Sequence, residues 1–335
     1  MTTPPAQSLP AVRAATSDDR EQVLRLLSAS LGWVPNDLFA AFFAWKHEQN
    51  PAGSSPAWVA LGDDAEIIGF RTFLRWGLEG PGGVTVAAVR AVDTATHPDH
   101  QGRGIFRLLT NHALDELRAE GADLVFNTPN DRSRPGYLSM GWSVVGALAP
   151  SVRPTSPAGF ARMVRSRVPA DRWSAPSRAG VPATEVLTGP VVEALLASQA
   201  PARGLRTRRT LAHLRWRYGF DALHYRAVAL GSDPAEGLAI FRIRRRGAAT
   251  EAALCEVMVP AGNTRAAVAL ARAVVASSKA DYVIRLGGPR IDGAGFIRLP
   301  GQGPVLTRRS VPEVDGGLGV LRSGWDLDLG DVELF

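Results

Sequence analysis

The chain has 335 residues and is short of sulfur, of lysine and of long apolar runs. Its single cysteine, Cys255, excludes an intramolecular disulfide and a thiolate metal site. That residue sits in Ala-Ala-Leu-Cys-Glu-Val-Met-Val, a strand-like apolar run where a buried structural thiol is expected rather than a nucleophile. The six histidines are scattered without HxxxH or HxH spacing, so no metal is expected. No apolar stretch approaches the roughly 18 residues that cross a bilayer. Residues 1–10 are polar and proline-rich and lack the charged-then-apolar layout of a signal peptide. The expectation is a cytoplasmic protein with no membrane partner, opened by a disordered lead-in over residues 1–10.

Lys46 and Lys279 are the only lysines, so arginine carries the net charge of +6. A pI near 10.2 would suit nucleic-acid binding. The arginine clusters at residues 203–217 and 242–246 lack the interleaved aromatics of a base-stacking surface. Beside abundant Ala, Gly and Pro, the arginine bias has the look of GC-rich coding, and no nucleic-acid partner is expected. With 45% hydrophobic and 21% charged residues, the chain has the composition of a globular protein large enough for two domains.

One order of elements runs twice along the chain. In the first half, Val12-Arg-Ala-Ala-Thr is strand-like and Ser17-Asp-Asp-Arg-Glu opens a helix with Val23, Leu26, Leu27 and Leu31 on one face. A second helix over residues 37–47 precedes the turn Asn50-Pro-Ala-Gly-Ser, with Trp45 read as core and Lys46 and His47 as acceptor-side candidates. The strand Ala57-Trp-Val-Ala-Leu and a return strand from Glu66 then flank the hairpin turn at Gly62. In the second half, Glu185-Val-Leu-Thr is read as a strand, and a helix follows from Gly189. A tryptophan helix follows at residues 211–218, and then a hairpin whose turn is Gly231-Ser-Asp-Pro. Ala266 begins a helix and Asp281-Tyr-Val-Ile-Arg-Leu a strand. Trp216 follows Trp45 by 171 residues (216 − 45), and the shared order predicts a tandem repeat. The predicted domains are residues 11–150 and 183–335. Residues 151–182, rich in Pro, Ser and Arg, would link them and carry one short helix.

The copies differ at Asp93-Thr-Ala-Thr-His-Pro-Asp-His-Gln-Gly-Arg-Gly-Ile-Phe106. A strand here gives way to a glycine-rich basic loop and then to a helix start. That arrangement aims backbone N–H groups, Arg103 and a helix dipole at one point where a phosphate can sit. Gly102 and Gly104 lack the Cβ that would hold a pyrophosphate off the main chain. The following helix has an apolar stripe of Ile105, Leu108, Leu109, Ala113 and Leu117, and Gly121 ends it. Taken by itself, a lone GxG is equally an ordinary glycine turn. The second copy has Val257-Met-Val-Pro-Ala-Gly-Asn-Thr-Arg265 in this place, without paired glycines.

Gln101-Gly-Arg-Gly-Ile-Phe106 resembles the Gln/Arg-x-x-Gly-x-Gly/Ala motif of the GNAT acyltransferase superfamily, with Phe106 replacing the last small residue. Asn130, Tyr137 and Gly141-Trp142 resemble the family's Asn-x6-Tyr-x3-Gly-Phe pattern, although Pro129 and Pro135 interrupt the usual helix. The resemblance covers residues 10–150 with specific motifs and 183–300 in outline, so the C-terminal copy is read as degenerate. It implies an α/β fold of two GNAT-like domains, each a mostly antiparallel mixed sheet with helices on both faces. It also implies acetyl-CoA as co-substrate, with the pyrophosphate on the loop of Gln101, Gly102, Arg103, Gly104, Ile105 and Phe106. Thr94, Ala95 and Thr96 would hydrogen-bond the pantetheine arm on a splayed strand, and Asn130 would help hold it. Tyr137 would protonate the departing thiolate, a task for which a phenol of pKa near 10 is suited. The implied activity is N-acetyl transfer to an amine, read as a small molecule, by direct attack. A backbone N–H of the splayed strand would hold the oxyanion. Asp93, His97 and Glu79 are candidate bases, and Asp93 is placed with Tyr137 in the catalytic set. The alternative is a non-catalytic acyl-CoA-binding or sensing protein. Nothing in the sequence names the acceptor, the acyl chain or the oligomeric state.

Overall fold

The computed structural model describes residues 9–231, 234–289 and 291–334. β1 (Ala11–Ala14) leads into α1 (Arg20–Leu31), and Asn36 caps α2 (Asp37–His47) by accepting from the Phe39 N–H. β2 (Ala57–Leu61) and β3 (Ile67–Glu79) form the expected hairpin, and β4 (Thr85–Thr96) returns along β3. α3 (Ile105–Ala119) buries Ile105, Leu109, Ala113 and Leu117, as its stripe predicts. β5 (Leu124–Asn127), α4 (Arg134–Ser139) and β6 (Ser143–Ala147) complete this half. Pro135 falls in the first turn of α4, where a missing N–H costs nothing, so it does not prevent a helix. Leu31, counted in the apolar stripe of α1, is instead exposed.

Residues 151–182, read as a linker, contain β7 (Ser151–Pro154), α5 (Pro157–Arg165) and the start of the second sheet at β8 (Val181–Pro182). Glu185-Val-Leu-Thr is not a strand: α6 (Ala183–Val186) is a helical turn closed by the Leu187 N–H on the Ala183 carbonyl. The preceding dipeptide takes the edge-strand place, and local turn closure overrides the strand propensity of so short a run. α7 (Gly189–Ala197), β9 (Arg206–Thr207), α8 (Leu211–Tyr218), β10 (Arg226–Ala229), β11 (Leu238–Arg246) and β12 (Ala249–Met258) follow. The chain then runs through α9 (Thr264–Ser278), β13 (Tyr282–Arg285), β14 (Ile297–Arg298) and β15 (Val305–Ser310).

These strands make two mostly antiparallel mixed sheets flanked by helices, of orders β1-β2-β3-β4-β5-β15-β6 and β8-β10-β11-β12-β13-β7-β14. Among the described residues the parallel neighbours are β4 with β5 in one and β12 with β13 in the other. In the first sheet, the strand beyond the parallel pair comes from the other half of the chain: β15 lies between β5 and β6. In the second it is β7, from the segment read as a linker, which lies between β13 and β14. Because of β15, no single cut near residue 150 separates the sheets. A break there would leave β5 with an unpaired edge.

The halves meet at one reciprocal contact. Trp45 Nε1 donates to the Trp216 carbonyl and Trp216 Nε1 to the Trp45 carbonyl, both at 2.7 Å, with the rings stacked 5.3 Å apart. The Trp–Trp offset in the sequence is thus a direct contact in the fold. The C-terminal segment seals the same junction. Arg90 on β4 donates to the Asp331 carbonyl, Trp325 packs on Phe126, and the Glu333 carboxylate lies among Arg217, Arg242 and Arg244. Much of the arginine that raised the pI is consumed in this way. Arg206 pairs with Glu79, Arg209 with Glu256 and Asp328, and Arg244 with Glu251. Among the described residues no helix is long and apolar enough to cross a membrane.

The junction can be probed at two points. Trp45→Ala and Trp216→Ala should each cost about 3–5 kcal/mol. In a urea double-mutant cycle the pair should lose less than the sum of the singles, because each removes the same stack and hydrogen bonds. Burial alone would raise the Glu333 carboxyl, but Arg242, Arg244 and Arg217 hold it at about 2. The folded pKa lies below the usual glutamate value of about 4.3, so this contribution is whole above that pH and is lost as pH falls toward 2. The stability gap between wild type and Glu333→Gln, measured by urea unfolding, should therefore shrink between pH 5 and 2 by about 3 kcal/mol.

Candidate active site

The site begins with a mismatch in strand pairing. β4 is bonded to β3 from Thr85 to Thr96 but to β5 only at Ala88, Val89 and Arg90. Past the Arg90–Phe126 pair the two parallel strands separate, leaving one backbone edge of β4 from Ala91 onward without a strand partner among the described residues. Between them opens a cleft of about 670 Å³, walled by β4, the glycine loop, the start of α3 and the segment from Asn127 to Tyr137.

A bulge sits at the mouth of the split. Phe70 pairs with Ala95 and Thr72 with Val92, so Asp93 and Thr94 together face Arg71, and Asp93 takes φ +44°. An L residue holds that conformation only when its surroundings compel it. Here the compulsion is electrostatic. The Asp93 carboxylate accepts from Lys46 Nζ at 2.7 Å and lies 2.8 Å from His47 Nε2, and both partners are buried on α2. Burial would raise the Asp93 carboxyl, but Lys46 and His47 outweigh it and hold the group below the usual carboxylate range. Burial lowers Lys46 and His47 from their ordinary values. His47 Nδ1 is in turn 3.0 Å from Ser55 Oγ.

The bulge also corrects a sequence argument. Strict alternation would put Asp93 and His97 on one side of the strand, but the extra residue breaks the period and His97 lies past the end of β4. Its Nδ1 accepts from the Asp99 N–H instead. Glu79, the third candidate base, is at the far end of β3, paired with Arg206.

Gly102 and Gly104 both take φ +77°, and a Cβ on either would meet no atom within 4 Å. Backbone conformation, not crowding, demands glycine there, and the face is open. The N–H groups of Ile105, Phe106 and Arg107 head α3, where no intrahelical carbonyl precedes them. Gln101 and Arg103 are exposed on the loop, while Ile105 points into the core. Gly69 has no room for a side chain, since a Cβ there would come within 2.6 Å of Ile105, and this seats α3 closely on β3.

Thr94, Ala95 and Thr96 line the cleft, with two of them already engaged. Thr94 Oγ1 accepts from Arg71, and the Thr96 carbonyl accepts from Ser30 on α1 at 2.9 Å. Asn130 also lines the cleft, and its Oδ1 accepts from the Arg132 and Ser133 N–H groups, which shapes the turn into α4. Phe106 fills the place of a small residue by packing edge-on against Tyr137 at 5.2 Å. Gly136 makes the space, as a Cβ there would lie 2.9 Å from that ring. The buried Tyr137 accepts at its hydroxyl from Arg71 Nη1 at 2.8 Å. Sequence reading missed Arg71, although an arginine within the apolar run Ile67-Ile-Gly-Phe-Arg-Thr-Phe73 was a visible signal. It also missed Asn127, buried at the end of β5 and accepting from Thr307 Oγ1 of the inserted strand.

Comparison with known proteins bears on this geometry. Residues 11–145 match the model of the acetyltransferase (GNAT) domain. That match takes in the first sheet up to β6, short of β15. Solved structures extend the likeness to nearly the whole chain at the level of fold. A conserved protein of unknown function from Enterococcus faecalis V583, a probable N-acyltransferase, superposes with a TM-score of 0.65 at 14% identity. That match covers 91% of this chain and 73% of the other. The GCN5-related N-acetyltransferase from Anabaena variabilis ATCC 29413 gives 0.62 at 15% identity, covering 90% and 73%. Eis1 from Mycobacterium abscessus gives 0.56 at 17%, covering 90% and 74%. No curated protein sequence matches the chain. The match to that domain model supports acyl transfer from an acyl-CoA. Among the described residues no three His, Cys, Asp or Glu side chains are grouped to share a metal ion.

The second sheet contains the same split and fills part of it. β12 and β13 pair from Glu251–Tyr282 to Leu254–Arg285, and β12 runs on to Met258 paired with β11 alone. The C-terminal segment enters the gap and narrows it to a cleft of about 460 Å³ between the end of β12, the head of α9 and residues 323–328. Gly287 comes so close to the Leu327 carbonyl that a Cβ would lie 1.9 Å from it, and Gly330 reaches the Tyr218 hydroxyl and the Cys255 carbonyl. At the head of α9, Asn263 caps the Ala266 N–H with its own side chain.

The Asp93 cluster gives a direct expectation. Lys46→Met leaves a buried carboxylate short of its cation and should destabilise the protein by about 3–5 kcal/mol. Urea unfolding at pH 7 measures it, and a loss under about 1 kcal/mol would show that the ion pair does not anchor the bulge.

Proposed function

We propose that the GNAT domain transfers an acetyl group from acetyl-CoA to the amine of a small molecule. The observation that carries this reading is the β4–β5 split, which opens at one end on the Gly102–Gly104 loop and the head of α3, with Tyr137 on its wall. The pyrophosphate would lie on the N–H groups of residues 102–106 with Arg103 beside it. The pantetheine arm would lie along Thr94, Ala95 and Thr96, steadied by Asn130. The amine nitrogen attacks the thioester carbon, and a backbone N–H at the bulge holds the oxyanion. The C–S bond then breaks, and Tyr137 gives its proton to the thiolate sulfur. Since Lys46 and His47 already hold Asp93, we assign it the task of fixing the bulge, and the ammonium proton leaves to water. We further infer that the two halves are copies of one GNAT-like unit, the second of which has lost the paired glycines of the loop and has its groove narrowed by the C-terminal segment. The shared strand order and the Trp45–Trp216 symmetry support this.

Calorimetry with acetyl-CoA tests the reading. Wild type should bind, Gly104→Glu should not, and Gly104→Ala should lose only the modest part due to backbone strain, about 1 kcal/mol. No binding by wild type would remove the acyltransferase reading and leave only the fold.

A further inference from the structure

Arg71 is entirely buried, and its hydrogen bonds go to hydroxyls, not to a carboxylate. Nη1 donates both to Thr94 Oγ1 and to Tyr137 Oη, while Nε and Nη2 make no hydrogen bond among the described residues. The guanidinium carbon lies 4.2 Å from the centre of the Phe73 ring and 5.3 Å from that of Tyr137, so aromatic faces supply much of its electrostatic support. A guanidinium keeps its charge under all ordinary conditions, and a buried charge without a counter-ion is costly to hold. At the junction, Arg217 and Arg242 face the Glu333 carboxylate. Arg71 instead faces the phenol that borders the cleft and a residue of the bulged strand.

We propose that Arg71 is a positioning residue for acyl transfer, holding the Tyr137 oxygen from behind so that its proton points into the cleft. It then neutralises the phenolate left when that proton departs. This rests on the acyl-transfer reading above. The step balances simply. The Tyr137 O–H bond breaks and an S–H bond forms on the thiolate released by C–S cleavage. The ammonium proton of the product goes to water, and water reprotonates the phenolate before the next turnover. Because Nη1 already occupies one side of the phenol oxygen, the hydroxyl hydrogen is directed elsewhere. The same guanidinium ties Tyr137 to Thr94, and so sets the distance between proton donor and bulge.

The experiment measures CoA thiol release from acetyl-CoA in the presence of a panel of primary amines, aminosugars and peptides. Wild type, Arg71→Met, Arg71→Lys, Tyr137→Phe and both Arg71 substitutions combined with Tyr137→Phe are compared, with thermal melting as the check on folding. Arg71→Met should lower kcat by about 10- to 100-fold, less than the roughly 10²- to 10⁴-fold worth of a general acid, because the Tyr137 hydroxyl itself remains. Its KM for acetyl-CoA should move by less than about twofold, because the residue does not border the cofactor groove. Added to Tyr137→Phe, it should cost almost nothing more, since its effect passes through the missing hydroxyl. Arg71→Lys, which keeps the charge, should recover part of the rate. Full additivity with Tyr137→Phe overturns the proposal, as does a rise in KM with kcat unchanged. If Arg71→Met fails to fold, the two Arg71→Lys variants give the same additivity test. Absence of thiol release by wild type overturns the acyl-transfer reading itself, a different result from additivity among active variants.

Discussion

β4 is held along its whole length by β3 but by β5 over only three residues, and the cleft exists because of that inequality. Parallel strands that stayed paired would satisfy each other's backbone groups and leave no edge for a ligand. A separated pair cannot stay open unless something else fixes the free strand. Here a buried ion cluster supplies it. Lys46 and His47 on α2 grip Asp93 and hold it at a positive φ that the sheet would otherwise reject. α2 thus sets the geometry of the strand that borders the cleft.

In the second sheet the same split meets a different stretch of chain. β12 and β13 part in the same manner, but there the gap admits residues 325–333 of the protein itself. Arg217 donates to the Gly330 carbonyl, and Tyr218 and Arg209 share Glu256 close by. One split presents unpaired backbone to solvent; the other is narrowed by the C-terminal segment, which also bonds to Arg90 of the first sheet. Narrowing the second groove and joining the two halves are accordingly one structural act.

The elements legible in the sequence are those dictated by local periodicity. The stripe of α3, the β2–β3 hairpin and the glycine loop all arise from residues close in sequence, and each is where the pattern puts it. The Trp45–Trp216 offset was legible because each half sets its tryptophan at the same point in the same order of elements. What escaped depends on long-range placement. Nothing local tells that β15 crosses into the first sheet or that β7 leaves for the second, since a strand of four to six residues with one or two apolar side chains fits either edge. The Asp93 bulge escaped because alternation assumes an unbroken ladder. Arg71 was passed over because an arginine in a strand is ordinarily assigned to a solvent face, and only the register shows that it faces the bulge and the phenol.

Buried arginine divides the chain by function. At the junction, Arg90 bonds the Asp331 main-chain carbonyl, and the other guanidinium groups named there are matched by carboxylates. Glu333 serves Arg217 and Arg242, and Asp328 and Glu256 serve Arg209. Matched charges of this kind fix geometry and are silent toward a ligand, because their fields largely cancel beyond a few ångströms. Arg71 lies against neutral hydroxyls and ring faces, so its field extends into the region where a thioester would place developing negative charge. Placing a carboxylate beside it would stabilise the fold and cancel that field. A guanidinium bonded to a phenol and a threonine hydroxyl is therefore a charge kept for chemistry, as those at the junction are charges kept for assembly.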